Sequence, residues 1–222
     1  MPGEGIRLLA SMRFLCVSDI HGNHQALQKV LTEGKARGFD QLVVSGDICF
    51  PGPEPLAVWK TLLEHQAVCV QGVGDRALAM VDPKKLLGVT EAEKKRIERL
   101  RETHAELGEL IIARLAKLPQ MIRLPLESGH TMLVVHGSPR DPMDSITRDM
   151  SEEEILHRIG DEPGDLIVCG SSHEQFEGQV ADVHIVSVGS VGEAPGGTHA
   201  YGAIVHSAPT GYQVNLFAVP LD

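Results

Sequence analysis

The run Arg13-Phe14-Leu15-Cys16-Val17-Ser18-Asp19-Ile20-His21-Gly22-Asn23 decides the fold. It opens on a short apolar stretch, the pattern of a strand covered on both faces. The stretch stops at Ser18-Asp19, and polar residues take over. Residues 24–37 then place Ala26, Leu27, Val30 and Leu31 at helical spacing. A second buried run, Gln41-Leu42-Val43-Val44, stops at Ser45-Gly46-Asp47. Pro51, Pro53 and Pro55 punctuate a loop, and residues 56–64 read as a helix. Ala67-Val68-Cys69-Val70 is a third strand, ending at Gly72. Strand, helix, strand, helix, strand predicts a parallel sheet with covering helices.

Thr90-Glu91-Ala92-Glu93 is a capping box that opens a long charged helical stretch towards Pro119, with a break expected near Gly108. A hairpin pattern follows, with strands at 121–126 and 131–135 around a Glu-Ser-Gly turn. Ser151-Glu152-Glu153-Glu154 caps a further helix to about Ile159. Asp165-Leu166-Ile167-Val168-Cys169 is another buried strand, and three more are expected at about 180–187, 200–206 and 211–218. Parallel units come first and antiparallel strands later. That order predicts two sheets packed face to face with helices outside.

The 222 residues suit one domain at roughly 150 residues per domain. Residues 1–11 read as an N-terminal extension, and 12–222 as a single domain with a helical segment at about 83–118. The formal charge of −10 disfavours duplex nucleic acid and anionic membranes as partners. It leaves room for an anionic ligand where a metal supplies the positive charge. No apolar run approaches the roughly 18 residues of a membrane span, and the start lacks signal-peptide features. Cys16, Cys49, Cys69 and Cys169 sit singly in apolar runs, which reads as reduced, buried thiols in a cytoplasmic protein.

Polar residues gather where apolar strands stop. Asp19 and His21 follow the first strand and Asp47 the second; His136 follows the fifth, and His173 the strand after it. Ligands of open α/β sheets bind outside the carboxyl ends of the strands, so these five converge on one mouth. Carboxylates mixed with imidazoles suit Mn, Fe, Zn, Ni or a similar divalent ion better than Ca or Mg.

In this order the residues resemble the calcineurin-like metallophosphoesterases, in particular the small bacterial phosphodiesterase branch. The likeness rests on Ser18-Asp19-Ile20-His21-Gly22-Asn23, Ser45-Gly46-Asp47, His136-Gly137-Ser138-Pro139-Arg140-Asp141-Pro142 and Gly189-Ser190-Val191-Gly192. It spans about residues 12–218. The resemblance implies a four-layer α-β-β-α sandwich, an α/β fold of two mixed sheets flanked by helices, with a two-metal site at the sheet edge. It implies Asp19, His21, Asp47 and His173 on one ion. For the second it leaves Asp47, as a shared ligand, and His136; these two are also the expected catalytic residues.

The chain departs from the family at that second ion. Val73 stands where the resemblance implies an Asn ligand, Ser171 where it implies a His, and Gly74 where it implies the His that assists the leaving group. A further Arg is absent from Glu193-Ala194-Pro195. The expectation is therefore one intact metal site and a second that is empty or very weak. The resulting reading is a weak or specialised phosphoesterase acting on a small phosphorylated substrate or a phosphoprotein. Its alternative is a non-catalytic phospho-ligand or protein-binding module on the same fold.

Arg76, Arg140 and Asn23 are candidate substrate-binding residues. The alternative reading of Arg76 is a surface ion pair, and that of Arg140 a residue that closes a turn. His24 either nears the site or faces solvent. Cys49 and Cys69 read as core thiols rather than ligands. Gly72-Val73-Gly74-Asp75-Arg76-Ala77 also fits a dinucleotide fingerprint, but no second strand with a terminal acid follows. The stretch 90–117 reads as a solvated face with one apolar stripe, a cover for the site mouth, or a homodimer contact.

Overall fold

The computed structural model of the chain describes residues 11–162 and 164–221. Of the expected extension at 1–11, all but Ser11 lies outside the described residues. Two five-stranded sheets stack face to face. The first has the order β10-β9-β1-β2-β3, built from β1 (Met12–Val17), β2 (Gln41–Val44), β3 (Val68–Cys69), β9 (His199–Ala208) and β10 (Gly211–Pro220). The second has the order β4-β5-β6-β8-β7, built from β4 (Met121–Pro125), β5 (Thr131–Val135), β6 (Leu166–Cys169), β7 (Gln175–Val180) and β8 (Val183–Val188). β1, β2 and β3 are parallel, as are β5, β6 and β8, while the outer hairpins β9-β10, β4-β5 and β7-β8 are antiparallel.

Strand alternation builds the layers. In β1, Phe14 and Cys16 face the other sheet and join Val43, Met132, Val134, Leu166, Val168, Val186 and Val205 in an apolar layer between the sheets. Leu15 and Val17 face the opposite way, into a layer sealed by α1 (His24–Arg37), α2 (Pro55–Glu64), α3 (Val73–Met80) and α4 (Glu91–Leu115). On the far side, Leu133, Val135, Ile167 and Ile185 pack against Ile155 and Ile159 of α5 (Glu152–Ile159). Both faces of each sheet are covered, which is why the inner strands read as continuous apolar runs.

The expected elements are present, with four differences. β3 keeps only two paired residues. The eight-residue helix α3 occupies a stretch where two glycines and a fingerprint pattern concealed it. β7 (Gln175–Val180) went unanticipated, because this edge strand buries only Phe176 and Val180; the strand expected at 180–187 is β8. The later half also holds parallel pairs, β5-β6 and β6-β8, where antiparallel pairing was expected. Both capping boxes form, and α4 does break at Gly108, whose φ of 70° and ψ of 165° lie outside the helix. Among the described residues, no helix is long and apolar enough to cross a membrane.

Leu15 is fully buried in the centre of the first sheet. Leu15→Ala should lower unfolding free energy by about 2–5 kcal/mol in urea titrations, the usual range for a core leucine truncation.

Candidate metal centre

The carboxyl ends of β1, β2, β5 and β6 meet at one edge of the sandwich, and the loops beyond them continue the sheet hydrogen bonding. Asp19 N–H donates to Gly46 O at 3.0 Å, His21 N–H to Asp47 O at 2.9 Å, and Gly170 N–H to His136 O at 2.9 Å. The loop after β8 crosses to the other sheet, where Val191 N–H donates to Ser18 O at 3.0 Å and Gly192 N–H to Asp19 O at 2.9 Å. Five residues with non-glycine side chains here hold positive φ: Asp19, His21, Asp47, Ser171 and His173, between 50° and 63°. Such conformations persist where the surroundings over-determine them, and they cluster at functional sites.

The three site histidines share one arrangement. Nδ1 of His21 lies 2.6 Å from Phe50 O, Nδ1 of His136 2.7 Å from Ser45 O, and Nδ1 of His173 3.1 Å from Glu193 O. A carbonyl oxygen can only accept, so each Nδ1 carries hydrogen and each neutral ring turns a bare Nε2 inward. The Nε2 atoms of His21 and His173 stand 3.2 Å apart. Asp19 Oδ1 lies 3.3 Å from His173 Nε2 and 3.7 Å from His21 Nε2. Asp47 Oδ2 lies 3.7 Å from His136 Nε2 and 4.0 Å from His21 Nε2. Burial pushes the Asp19 carboxyl up, but His173 and His136 outweigh that and hold it below its ordinary range. The Asp19 carboxylate facing its Nε2 raises His173 against the opposing effect of burial.

This donor set fits a divalent transition ion. Asp19 Oδ1 is buried with no hydrogen-bond partner, and bare imidazole nitrogens face it. Ligating histidines characteristically donate their other ring N–H to a carbonyl or carboxylate. The donors fall into two groups, Asp19-His21-His173 and Asp19-Asp47-His136. Asp19 is common to both, and Asp47 also stands beside the first group, its Oδ2 4.0 Å from His21 Nε2. The second group gathers three buried residues.

The departures from the expected pattern have local accounts. Val73 opens α3, and its neighbour Gly74 donates its N–H to Asp47 Oδ1 at 2.6 Å. Gly72 sits so close that a Cβ there would fall 2.2 Å from Asp47 N and Oδ1. Asp75 accepts from Gly72 N–H and from Ile48 N–H, both at 3.0 Å, and so ties α3 to the loop bearing Asp47. Burial, then the nearby Asp47, pushes the Asp75 carboxyl up to about 6. Ser171 turns its hydroxyl to Ser145 at 2.8 Å and gives its N–H to Asp19 Oδ2 at 2.9 Å.

The other singled-out residues lie as follows. Asn23 caps α1, accepting from Ala26 N–H at 3.0 Å. His24 turns to Thr61 at 3.0 Å, between α1 and α2. Arg76 is exposed on the first turn of α3. Arg140 places its guanidinium on the ring and carbonyl of His157 in α5. All four cysteines are free; Cys69 is half-buried and the others buried, with burial pushing Cys16 and Cys169 up to about 12. The glycines of the fingerprint pattern face the Asp47 carboxylate.

Two contributors escaped the sequence reading. Arg99 of α4 donates through Nε to Pro51 O at 2.7 Å and through Nη2 to Gly52 O. It thereby braces the loop whose Phe50 carbonyl orients His21. Glu193 places a carboxylate oxygen 3.7 Å from His21 Nε2. Neither falls in a recognisable spacing; the signal for Glu193 was its position just after the glycine-rich segment.

The calcineurin-like phosphoesterase superfamily domain matches residues 12–209. Among solved structures, a hypothetical protein from Pyrococcus horikoshii OT3 superposes with a TM-score of 0.78 at 23% identity, covering 95% of this chain and 89% of that one. A metallophosphoesterase from Sphaerobacter thermophilus gives 0.72 at 23% identity, covering 94% and 88%. The phosphoesterase Yfce from E. coli gives 0.51 at 20% identity, covering 95% and 100%. At these identities the likeness concerns the fold. No curated protein matches the chain.

Asp75→Ala leaves two buried backbone N–H groups unpaired, at about 1–3 kcal/mol each. The loss should be larger at pH 5 than at pH 8. A carboxyl raised on folding stabilises below its unfolded pKa of about 3.9, and that contribution fades as pH climbs through about 6. Urea titrations of both proteins at the two pH values measure the difference.

Proposed function

Since the chain belongs to the calcineurin-like phosphoesterase superfamily, we propose that it is a divalent-metal-dependent phosphoesterase that cleaves small phosphorylated substrates with good leaving groups. The observation that carries this reading is the convergence of the carbonyl-oriented rings of His21 and His173 on the unpartnered Asp19 Oδ1, with the third, His136, turned to the neighbouring Asp47. Asp19, His21 and His173 would hold one ion, and Asp19, Asp47 and His136 the other position. Mn, Fe, Zn and Ni all suit such nitrogen and oxygen donors. A bound ion of this kind supplies a water of lowered pKa and a positive charge beside a phosphoryl oxygen.

The chain's own residues set the limits of the reaction. Asp47 has one oxygen, Oδ1, committed to Gly74 N–H, so Oδ2 alone faces the donors. No imidazole stands at Gly74 to protonate a departing group. General acid catalysis contributes typically 10²–10⁴-fold, so hydrolysis here depends on leaving groups stable as anions. Arg76, exposed on the first turn of α3, is the cation we assign to the substrate phosphate. Arg140 is held by α5 and would have to leave His157 to serve.

A second reading, a phospho-ligand-binding module, draws support from the same commitment of Asp47 Oδ1 to the backbone. The two readings part in one assay. Mn²⁺-loaded protein should hydrolyse p-nitrophenyl phosphate esters, with rates falling steeply as the leaving-group pKa rises. Asp47→Ala should abolish turnover. A flat dependence on leaving group overturns the missing-acid argument. Metal-loaded protein that binds phosphate esters without turnover overturns the enzyme reading in favour of the module.

A further inference from the structure

We propose that Glu193 is an additional protein ligand, completing an Asp19-His21-His173-Glu193 site. The assignment rests on the metal centre proposed above and extends it to a residue that supplied no donor in the sequence reading. Because Nδ1 of His21 is committed to Phe50 O, its Nε2 presents a lone pair. Around that lone pair stand His173 Nε2 at 3.2 Å, Asp19 Oδ1 at 3.7 Å and Glu193 Oε2 at 3.7 Å. Three electron-rich atoms gathered about that lone pair are repelled by it unless a cation or shared protons lie among them. Tetrahedral coordination with bonds of 2.0–2.1 Å spans ligand-to-ligand edges of about 3.3 Å. The 3.2 Å edge to His173 matches that span and the two 3.7 Å edges exceed it by a few tenths of an ångström; the compact donor group is Asp19-His21-His173, which Glu193 approaches through His21.

The backbone places Glu193 with unusual firmness for a half-exposed side chain. Its N–H donates to Ser190 Oγ at 2.7 Å, and Ser190 Oγ donates to Asp19 O at 2.9 Å. Its carbonyl accepts from His173 Nδ1, so the residue that orients one ligand also offers a carboxylate to the ion. The preceding Gly192 packs directly on the loop of Asp19, where a Cβ would fall 2.1 Å from Ile20 O. The buried, unpartnered Asp19 Oδ1 lies at the same 3.7 Å from His21 Nε2 as the Glu193 carboxylate. A solvated surface carboxylate would need none of this.

The test compares Glu193→Gln with Glu174→Gln, which removes an equal charge beside His173 without aiming a donor at His21. Mn²⁺ and Co²⁺ affinities come from equilibrium titration of the metal-free proteins, and the Co²⁺ coordination from its visible absorption spectrum. Apo melting curves check that both variants fold. Glu193→Gln should weaken Co²⁺ binding by about tenfold or more and alter the spectrum, with Glu174→Gln close to wild type. Unchanged affinity and spectrum in Glu193→Gln overturn the assignment. So does equal weakening in both variants with unaltered spectra, which would mark a field effect. A wild-type chain that binds neither ion overturns the metal centre itself.

Discussion

Three hydrogen bonds from imidazole Nδ1 to backbone carbonyls hold this site together. Ser45 O, Phe50 O and Glu193 O each fix one ring, and each belongs to a loop that leaves a strand end. The position of every Nε2 is therefore a backbone property, set by the register of parallel strands several residues away. Neutral hydrogen bonds of this kind contribute only about 0.5–1.5 kcal/mol each. Their weight lies in direction, since a rotated ring would turn a donor inward where the site collects acceptors. The loops themselves are held in turn: Arg99 braces residues 51–52, Asp75 braces Ile48 and Gly72, and the 190–192 segment braces Asp19.

The sequence exposed the fold wherever burial was complete. β1, β2, β5 and β6 are buried almost along their lengths, so their apolar runs were unmistakable, and the helix caps announced α4 and α5. Edge elements were harder. β7 buries only Phe176 and Val180 and went unanticipated, and α3 begins between Gly72 and Gly74, which lie close to Asp47 and disfavour a helix. The convergence of Asp19, His21, Asp47, His136 and His173 followed from strand ends alone. Two facts needed coordinates: the sharing of Asp19 between two donor groups and the approach of Glu193 to His21. Both depend on loops crossing between sheets, and no periodicity records such a crossing.

The substitutions that set this chain apart from its family pattern are accommodated by backbone rather than by replacement side chains. Where the resemblance implies an Asn and a His, α3 offers a peptide N–H to Asp47; where it implies another His, Ser171 offers a peptide N–H to Asp19. Peptide groups cannot act as acids or as anionic ligands, but they keep both carboxylates oriented. The positive-φ residues at the same edge represent strain of the order of 1–3 kcal/mol each that the rest of the fold sustains. Asp19 and Asp47 thus keep their orientation at the sheet edge without those side chains.

The donors come from both sheets: Asp19, His21 and Asp47 from one, His136 and His173 from the other. An ion held among them is a rivet through the sandwich. It would add to folding as any ligand of the native state does, by about 2.7 kcal/mol at a concentration a hundred times its dissociation constant. Exchange of a donor on either sheet would then be felt across the whole sandwich, in the melting of the protein as well as at the site.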